Sequence, residues 1–354
     1  MTTYRPIRVL LPALAMVGAL LTTGNVGAAA PGKCTLAKIA EWQVRPTRGQ
    51  PIVDGTINGN KIGIMIDTGA SSAIILRAAA DRLGLVRHDA QGRRMIGIGG
   101  ESNVETVLID ELAIGTDVHR NWSVLVAGEH EFGSDTALIL GEDFFRLADV
   151  EFDLAHNAIR LFQARDCEDR ALAYWATEGA GVVEFDAIVG AAPRIELTVE
   201  INGRPITALL DSGAFSTVVT KSQAAALGVT PDSAGVIAGG CSVGLGQKTV
   251  EFWLGTFESF RIGDELIRNP RIRFADTWKF STYKSGSLVS RRPMAPDMLL
   301  GADFLRSHRV LIAHSQRKMY FTHAGGTVFD VQSLRSCGEI ERREAQKRQA
   351  PAPT

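Results

Sequence analysis

The chain reads as an all-β protein built from two homologous lobes with a few short helices, and three observations predict it. First, Ile64-Met65-Ile66-Asp67-Thr68-Gly69-Ala70-Ser71-Ser72 carries a bulky apolar run straight into an acid, a hydroxyl and a glycine. Ala208-Leu209-Leu210-Asp211-Ser212-Gly213-Ala214-Phe215-Ser216-Thr217 repeats that grammar 144 residues later. Second, the repetition extends well beyond the acids, at one offset and then at a slightly longer one. Third, the intervening sequence consists of short alternating or fully apolar runs punctuated by turn residues, such as Ser123-Val124-Leu125-Val126 and Arg194-Ile195-Glu196-Leu197-Thr198-Val199. Those are strand signals.

The chain begins with a targeting pattern over residues 1–30. Arg5 and Arg8 precede the apolar run Val9 to Leu21, and small residues follow through Gly27-Ala28-Ala29-Ala30. That order matches a secretory signal peptide cleaved near Ala28 to Ala30. The run has 13 residues, short of the ~20 that a spanning helix needs. Pro31 stands where a lipoprotein leader would place Leu ahead of Cys34, so no stable membrane anchor is expected. The expected location is periplasmic or secreted. Without the leader, 36 basic residues face 39 acidic ones, a balance that suggests no nucleic-acid partner. At 354 residues, 45% hydrophobic and 22% charged, the chain has room for two ordinary cores.

Each half then runs through the same elements. Thr56-Ile57-Asn58-Gly59 and Glu200-Ile201-Asn202-Gly203 are hairpin turns whose Asn-Gly pairs supply positive φ. The alanine-rich runs Arg77 to Leu83 and Lys221 to Leu227 are short helices stopped by Gly84 and Gly228. Ile98-Gly99-Gly100 pairs with Ala238-Gly239-Gly240, which places a second flap at Ile237 to Cys241. Ile139-Leu140-Gly141-Glu142-Asp143-Phe144 pairs with Leu299-Leu300-Gly301-Ala302-Asp303-Phe304 at an offset of 160. The extra residues fit an exposed insertion around Trp278 to Pro296. Each Leu-Gly-x-Asp-Phe is followed by a strand hairpin, Val150 to Phe162 and Val310 to Phe321. The expected lobes are 31–170 and 183–330, joined by a linker at 171–182 and followed by a charged, partly disordered tail at 331–354.

Four cysteines remain: Cys34, Cys167, Cys241 and Cys337. None forms a Cys-x-x-Cys pair and no histidine stands at zinc-ligand spacing, so no metal site is expected. In an exported chain an even count points to disulfides, with three possible pairings. A Cys34–Cys167 bridge closing the first half is preferred, which leaves Cys241 for Cys337. A serine hydrolase has no support, since no Gly-x-Ser-x-Gly elbow occurs and the histidines sit in charged or turn-like contexts. Gly244-Leu245-Gly246 lacks the strand–turn–helix setting of a phosphate loop. The five tryptophans read as core or loop anchors, with Trp278 placed where it could line a cleft.

A carboxylate at the end of a buried strand is costly unless it is hydrogen-bonded or used. Two of them in matched contexts suggest a pair built to meet. Ile66-Asp67-Thr68-Gly69-Ala70 with Leu210-Asp211-Ser212-Gly213-Ala214 resembles the aspartic proteases, and retropepsin-like bacterial enzymes in particular. Ile139-Leu140-Gly141 and Leu299-Leu300-Gly301 resemble that family's second element. The glycine-rich Ile96-Gly97-Ile98-Gly99-Gly100 resembles a flap tip. The resemblance implies two aspartic-protease-type β-barrel lobes forming a pseudo-dimer within one monomeric chain, with the active site between them and no cofactor. It implies Asp67 and Asp211 as the catalytic pair and Thr68, Gly69, Ser212 and Gly213 as supports of the active-site loops. Gly97, Gly99 and Gly100 would cover a peptide or protein substrate. Ala70 and Ala214 stand where pepsin-like enzymes commonly carry a hydroxyl, which implies higher carboxyl pKa values here. Phe215 opposite Ser71 makes the lobes unequal. The competing reading is a catalytically silent peptide-binding module on the same fold.

Overall fold

Where side chains alternate between core and solvent, the chain forms strands, and where both faces are covered the strands are apolar throughout. A computed structural model of the chain describes residues 33–46, 49–188, 194–280, 283–284, 290–291, 295–329, 331–332 and 334–349. The leader expected at residues 1–30 and the Pro-rich end from Ala350 lie outside the described residues, as does most of the insertion between Trp278 and Pro296.

In the first lobe, Gly100–Ile114 buries Val104, Val107, Ile109, Leu112 and Ile114 on its inner face. Six strands close into a ring in the order Ile52–Ile57, Asn60–Ile66, Thr136–Leu140, Ile74–Leu76, Asp117–Ala127 and Gly100–Ile114. The last pairs back with the first, Ile57 opposite Leu112. The strand His88–Gly97 extends from this ring as one arm of a hairpin. The second lobe follows the same order with Arg194–Ile201, Arg204–Leu210, Met298–Leu300, Val218–Thr220 and Arg271–Ala275. Its closing edge is broken. Val250–Thr256 pairs with Arg271–Ala275, and Ser259–Ile262 pairs with Arg194–Ile201.

The central pairings are parallel. Met65 lies opposite Ile139 in one lobe, and Leu209 lies opposite Leu299 in the other. Strands covered on both faces need continuous apolar runs, which is why Thr136–Leu140 and Met298–Leu300 are buried end to end. The Asn-Gly turns form as their chemistry requires, with φ of 49° at Asn58 and 51° at Asn202. Each asparagine also works at a distance. Asn58 Oδ1 accepts from the amides of Asp110 and Glu111, and Asn202 Oδ1 accepts from those of Glu258 and Ser259.

A six-stranded antiparallel sheet joins the lobes, in the order Thr35–Gln43, Ala158–Arg165, Asp149–Asp153, His308–Ala313, Lys318–His323 and Gly181–Ile188. Its middle register sets Val310 opposite Phe152 and Ile312 opposite Val150. The two hairpins legible in the sequence therefore pair with each other. Cys34–Cys167 fastens the outer edge of this sheet. Cys241–Cys337 ties the helix Cys337–Gln349 to the strand Ile237–Ser242. Two disulfides fit an oxidising compartment. Among the described residues no helix is long and apolar enough to cross a membrane.

Where the lobes meet, the Ser315 amide and hydroxyl both donate to Asp149. Beside them His314 Nε2 lies 3.3 Å from Glu142 Oε1, both nearly out of solvent. Burial pushes the Glu142 carboxyl up to about 8 and the His314 imidazole down to about 4, so both are neutral at mid pH. A raised acid binds its proton more tightly in the folded chain, so stability falls as pH rises from the unfolded value toward 8. The depressed histidine acts oppositely, and its share is lost as pH falls below the unfolded value toward 4. Glu142→Gln should therefore flatten the loss between about pH 4.5 and 8, which can reach about 1.4 kcal/mol per pH unit for one proton. Urea melts across that range check it, and an unchanged slope would contradict it.

Candidate active site

Each acid sits on a loop held by the strand that runs parallel beside it. The Asp67 amide donates to Leu140 O at 2.9 Å, and the Asp211 amide donates to Leu300 O at 2.9 Å. The next residue in each supporting strand is glycine for a steric reason. A Cβ at Gly141 would lie 2.6 Å from the Ser72 carbonyl carbon, and one at Gly301 would lie 2.4 Å from that of Ser216. The amides of Glu142 and Ala302 then donate back to Ala70 O and Ala214 O, both at 2.7 Å. At the next residue, Asp143 Oδ1 accepts from the Ala73 amide, and Asp303 Oδ1 accepts from both the amide and the hydroxyl of Thr217. The aspartate of each Leu-Gly-x-Asp-Phe is thus a loop anchor, a role the sequence alone did not assign.

Across the lobe boundary the two loops exchange hydroxyls. Thr68 Oγ1 donates to Leu210 O at 2.8 Å and accepts from the Ser212 amide at 3.0 Å. Ser212 Oγ donates to Ile66 O at 2.7 Å and accepts from the Thr68 amide at 2.9 Å. Arg306 adds another crossing, donating to Gly49 O and to Phe215 O.

This clamp sets the two carboxyls within hydrogen-bonding distance of each other. Backbone amides of Gly69 and Ala70 donate to Asp67 Oδ1 at 2.9 and 3.0 Å, and that of Ala214 donates to Asp211 Oδ1 at 2.8 Å. Gly69 and Gly213 are glycines for a steric reason. A Cβ on Gly69 would fall 2.4 Å from the Asp211 carboxyl carbon, and one on Gly213 would fall 2.3 Å from that of Asp67. Each glycine makes room for the opposite acid. Burial raises the pKa of both carboxyls, and the charge of Asp67 pushes Asp211 up further. The two titrate as one coupled pair.

The pair forms the floor of a cavity of about 210 Å³. Ile74, Met95 and Phe132 wall it from the first lobe, and Phe215, Phe252 and Trp278 from the second. Its roof comes from both lobes. Gly97 and Ile98 meet the segment Val243 to Leu245. The amides of Gly246 and Lys248 donate to Ile98 O and Gly99 O, both at 3.0 Å. Gly97 lines the cavity, whereas Gly99 and Gly100 face the opposing loop and the outer surface. The second flap also turns later than the glycine repeat suggests. Ala238, Gly239 and Gly240 lie within the strand Ile237–Ser242, and the tip is the Gly244-Leu245-Gly246 segment. The repeat misaligned here because a bulge at Gly239 mimics a turn's glycine pair. Trp278 reaches the cavity from the second lobe, as Phe132 does from the first.

Family models match the chain twice. Residues 53–147 match a gag-polyprotein putative aspartyl protease, and residues 197–304 match an aspartyl protease. No curated protein matches the chain.

The geometry makes a stability prediction. Because both carboxyl pKa values are raised in the folded chain, folding takes up protons above the unfolded value and stability falls as pH rises. Asp211→Asn removes the more strongly raised acid. Its stability relative to the parent should therefore grow from about pH 4 upward, by on the order of 1 kcal/mol per pH unit at first. Thermal or urea melts at matched pH read this directly, and a constant difference between the two proteins would contradict it.

Proposed function

Because the chain belongs to the retropepsin-like aspartyl proteases, with two such domains in one polypeptide, we propose that it is an exported endopeptidase whose nucleophile is a water activated between Asp67 and Asp211. One observation carries this reading. Two partly buried carboxyls stand side by side on the floor of the cavity between the lobes, each against the glycine of the opposing acid loop.

Two acids so close do not both ionise cheaply, so the resting pair holds one proton. The ionised carboxylate accepts a proton from the water as its oxygen attacks the scissile carbonyl carbon. The protonated carboxyl gives its proton to the carbonyl oxygen, leaving a neutral tetrahedral diol. A carboxyl then protonates the departing nitrogen, the C–N bond breaks, and the other carboxylate takes the proton of one diol hydroxyl. The products are an acid and an amine, and the pair again holds one proton. No covalent intermediate forms. Thr68 and Ser212 hold the acids in register rather than touch the substrate. One chain supplies both acids, so the working unit is a monomer.

The two disulfides favour an oxidising compartment, and together with the leader pattern they support periplasmic or secreted placement. The substrate is a peptide or an unfolded protein segment threaded between floor and roof.

Cleavage of a peptide library, read by mass spectrometry, tests the reading. Asp67→Asn should lose activity by on the order of a thousandfold or more, and a statine-type transition-state analogue should inhibit the parent. Equal cleavage by Asp67→Asn and parent would refute it. Since burial raises both carboxyls, activity should peak at mildly acidic to neutral pH. Ala214→Ser, by adding a hydroxyl that can stabilise the ionised form, should move the acidic limb downward. A peak below about pH 3 would contradict the effect assigned to burial.

A further inference from the structure

The two halves of the cleft share one floor and differ in their walls. Trp278 and Phe132 occupy matching places, each in the loop after the strand that pairs parallel with the short strand of its acid loop. Phe132 offers hydrocarbon alone. The indole Nε1 of Trp278 is buried and, among the described residues, has no hydrogen-bond partner. A second group on the same side shares that state. Ser216, 1% exposed, lines the cavity from the Asp211 loop, and its hydroxyl is likewise without a partner among the described residues. Ser72, its match in the first lobe, does not line the cavity.

A buried donor without a partner costs about 1–3 kcal/mol. A site that keeps two such atoms on one side therefore gains when a ligand supplies their complements. An extended peptide presents the same amide group at every residue, so duplicated floor and flap elements serve its backbone alike on both sides. Gln50 and Ser71 also line the first-lobe half, but among the described lining residues the buried donors without a partner stand on the second-lobe side alone, an asymmetry suited to reading a side chain. The walls around it are aromatic and aliphatic, with no cation among the lining residues, and the floor already carries the acid pair. A charged substrate carboxylate fits such a place poorly.

Building on the endopeptidase reading, we propose that the second-lobe half of the cleft selects a large neutral side chain ending in a hydrogen-bond acceptor, a carboxamide or a phenol, with Trp278 as its specificity-determining donor and Ser216 as the second polar contact. The first-lobe half takes a plain hydrocarbon side chain.

Matched peptides differing by one such group test it: Tyr against Phe, and Gln against Leu, at each position flanking the scissile bond. In the parent, kcat/KM should favour the acceptor-bearing member about tenfold at one position and not at the other. Trp278→Phe keeps the ring packing and should bring that ratio to about one. Ser216→Ala, which deletes a single oxygen, should lower it as well and stands in if Trp278→Phe does not fold. Ratios within twofold of one at both positions in the parent, or parent ratios retained in the variants, overturn the proposal while leaving the protease reading intact. The same pairs built around a non-hydrolysable reduced amide bond, with binding measured by calorimetry, separate the two claims. Absence of all cleavage sinks the enzyme reading. The affinity ratio, tenfold and lost in Trp278→Phe or flat throughout, then decides the specificity claim alone.

Discussion

Two hydroxyls exchanged across the lobe boundary hold the rest in place. Thr68 and Ser212 each donate to the carbonyl just before the opposing acid and accept from an amide just after it. All four groups are buried, so each lost partner would leave an orphan costing about 1–3 kcal/mol. The exchange fixes the Asp67 and Asp211 loops against each other, and Gly69 and Gly213 let each acid lean against the other's backbone. Burying both carboxyls opposes folding. Backbone amide donors offset that cost only in part, which is why both pKa values stay raised.

Around this symmetric centre the duplication has diverged. The first barrel closes with one unbroken strand, and the second breaks its edge before Ser259. Phe215 stands at the position that Ser71 holds in the first lobe, and Trp278 in the loop that matches that of Phe132. The second flap strand is tied through Cys241–Cys337 to a C-terminal helix, whereas the first has no bridge. On the proposed function, chemistry that needs two equal acids would constrain the floor, while recognition of a peptide, which has direction, would put no such constraint on walls and flaps.

Much of this was legible in sequence because the relevant signals are local. Strand alternation, Asn-Gly turns and the Asp-x-Gly loops are short patterns whose spacing repeats, and Leu140 and Leu300 carry the supporting strands in unbroken apolar runs. Cysteine order favoured the pairing that forms. What escaped notice depends on contacts between distant segments. Nothing near Val150 or Val310 announces that the two hairpins zip together across the lobes. The second flap was misplaced because glycine marks a bulge and a turn alike. The anchoring role of Asp143 and Asp303, and the lack of a partner among the described residues for Trp278 Nε1 and Ser216 Oγ, appear only when the loops around them are assembled.

The central claim is that Asp67 and Asp211 act as one unit sharing one proton. A double-mutant cycle on kcat tests it most directly, comparing Asp67→Asn, Asp211→Asn and the combined variant on one good peptide substrate. If the pair is a unit, either single change removes nearly all activity and the second change adds almost no further loss. Losses that simply add, or one single variant that keeps near-parental kcat, would show two independent groups and contradict the account.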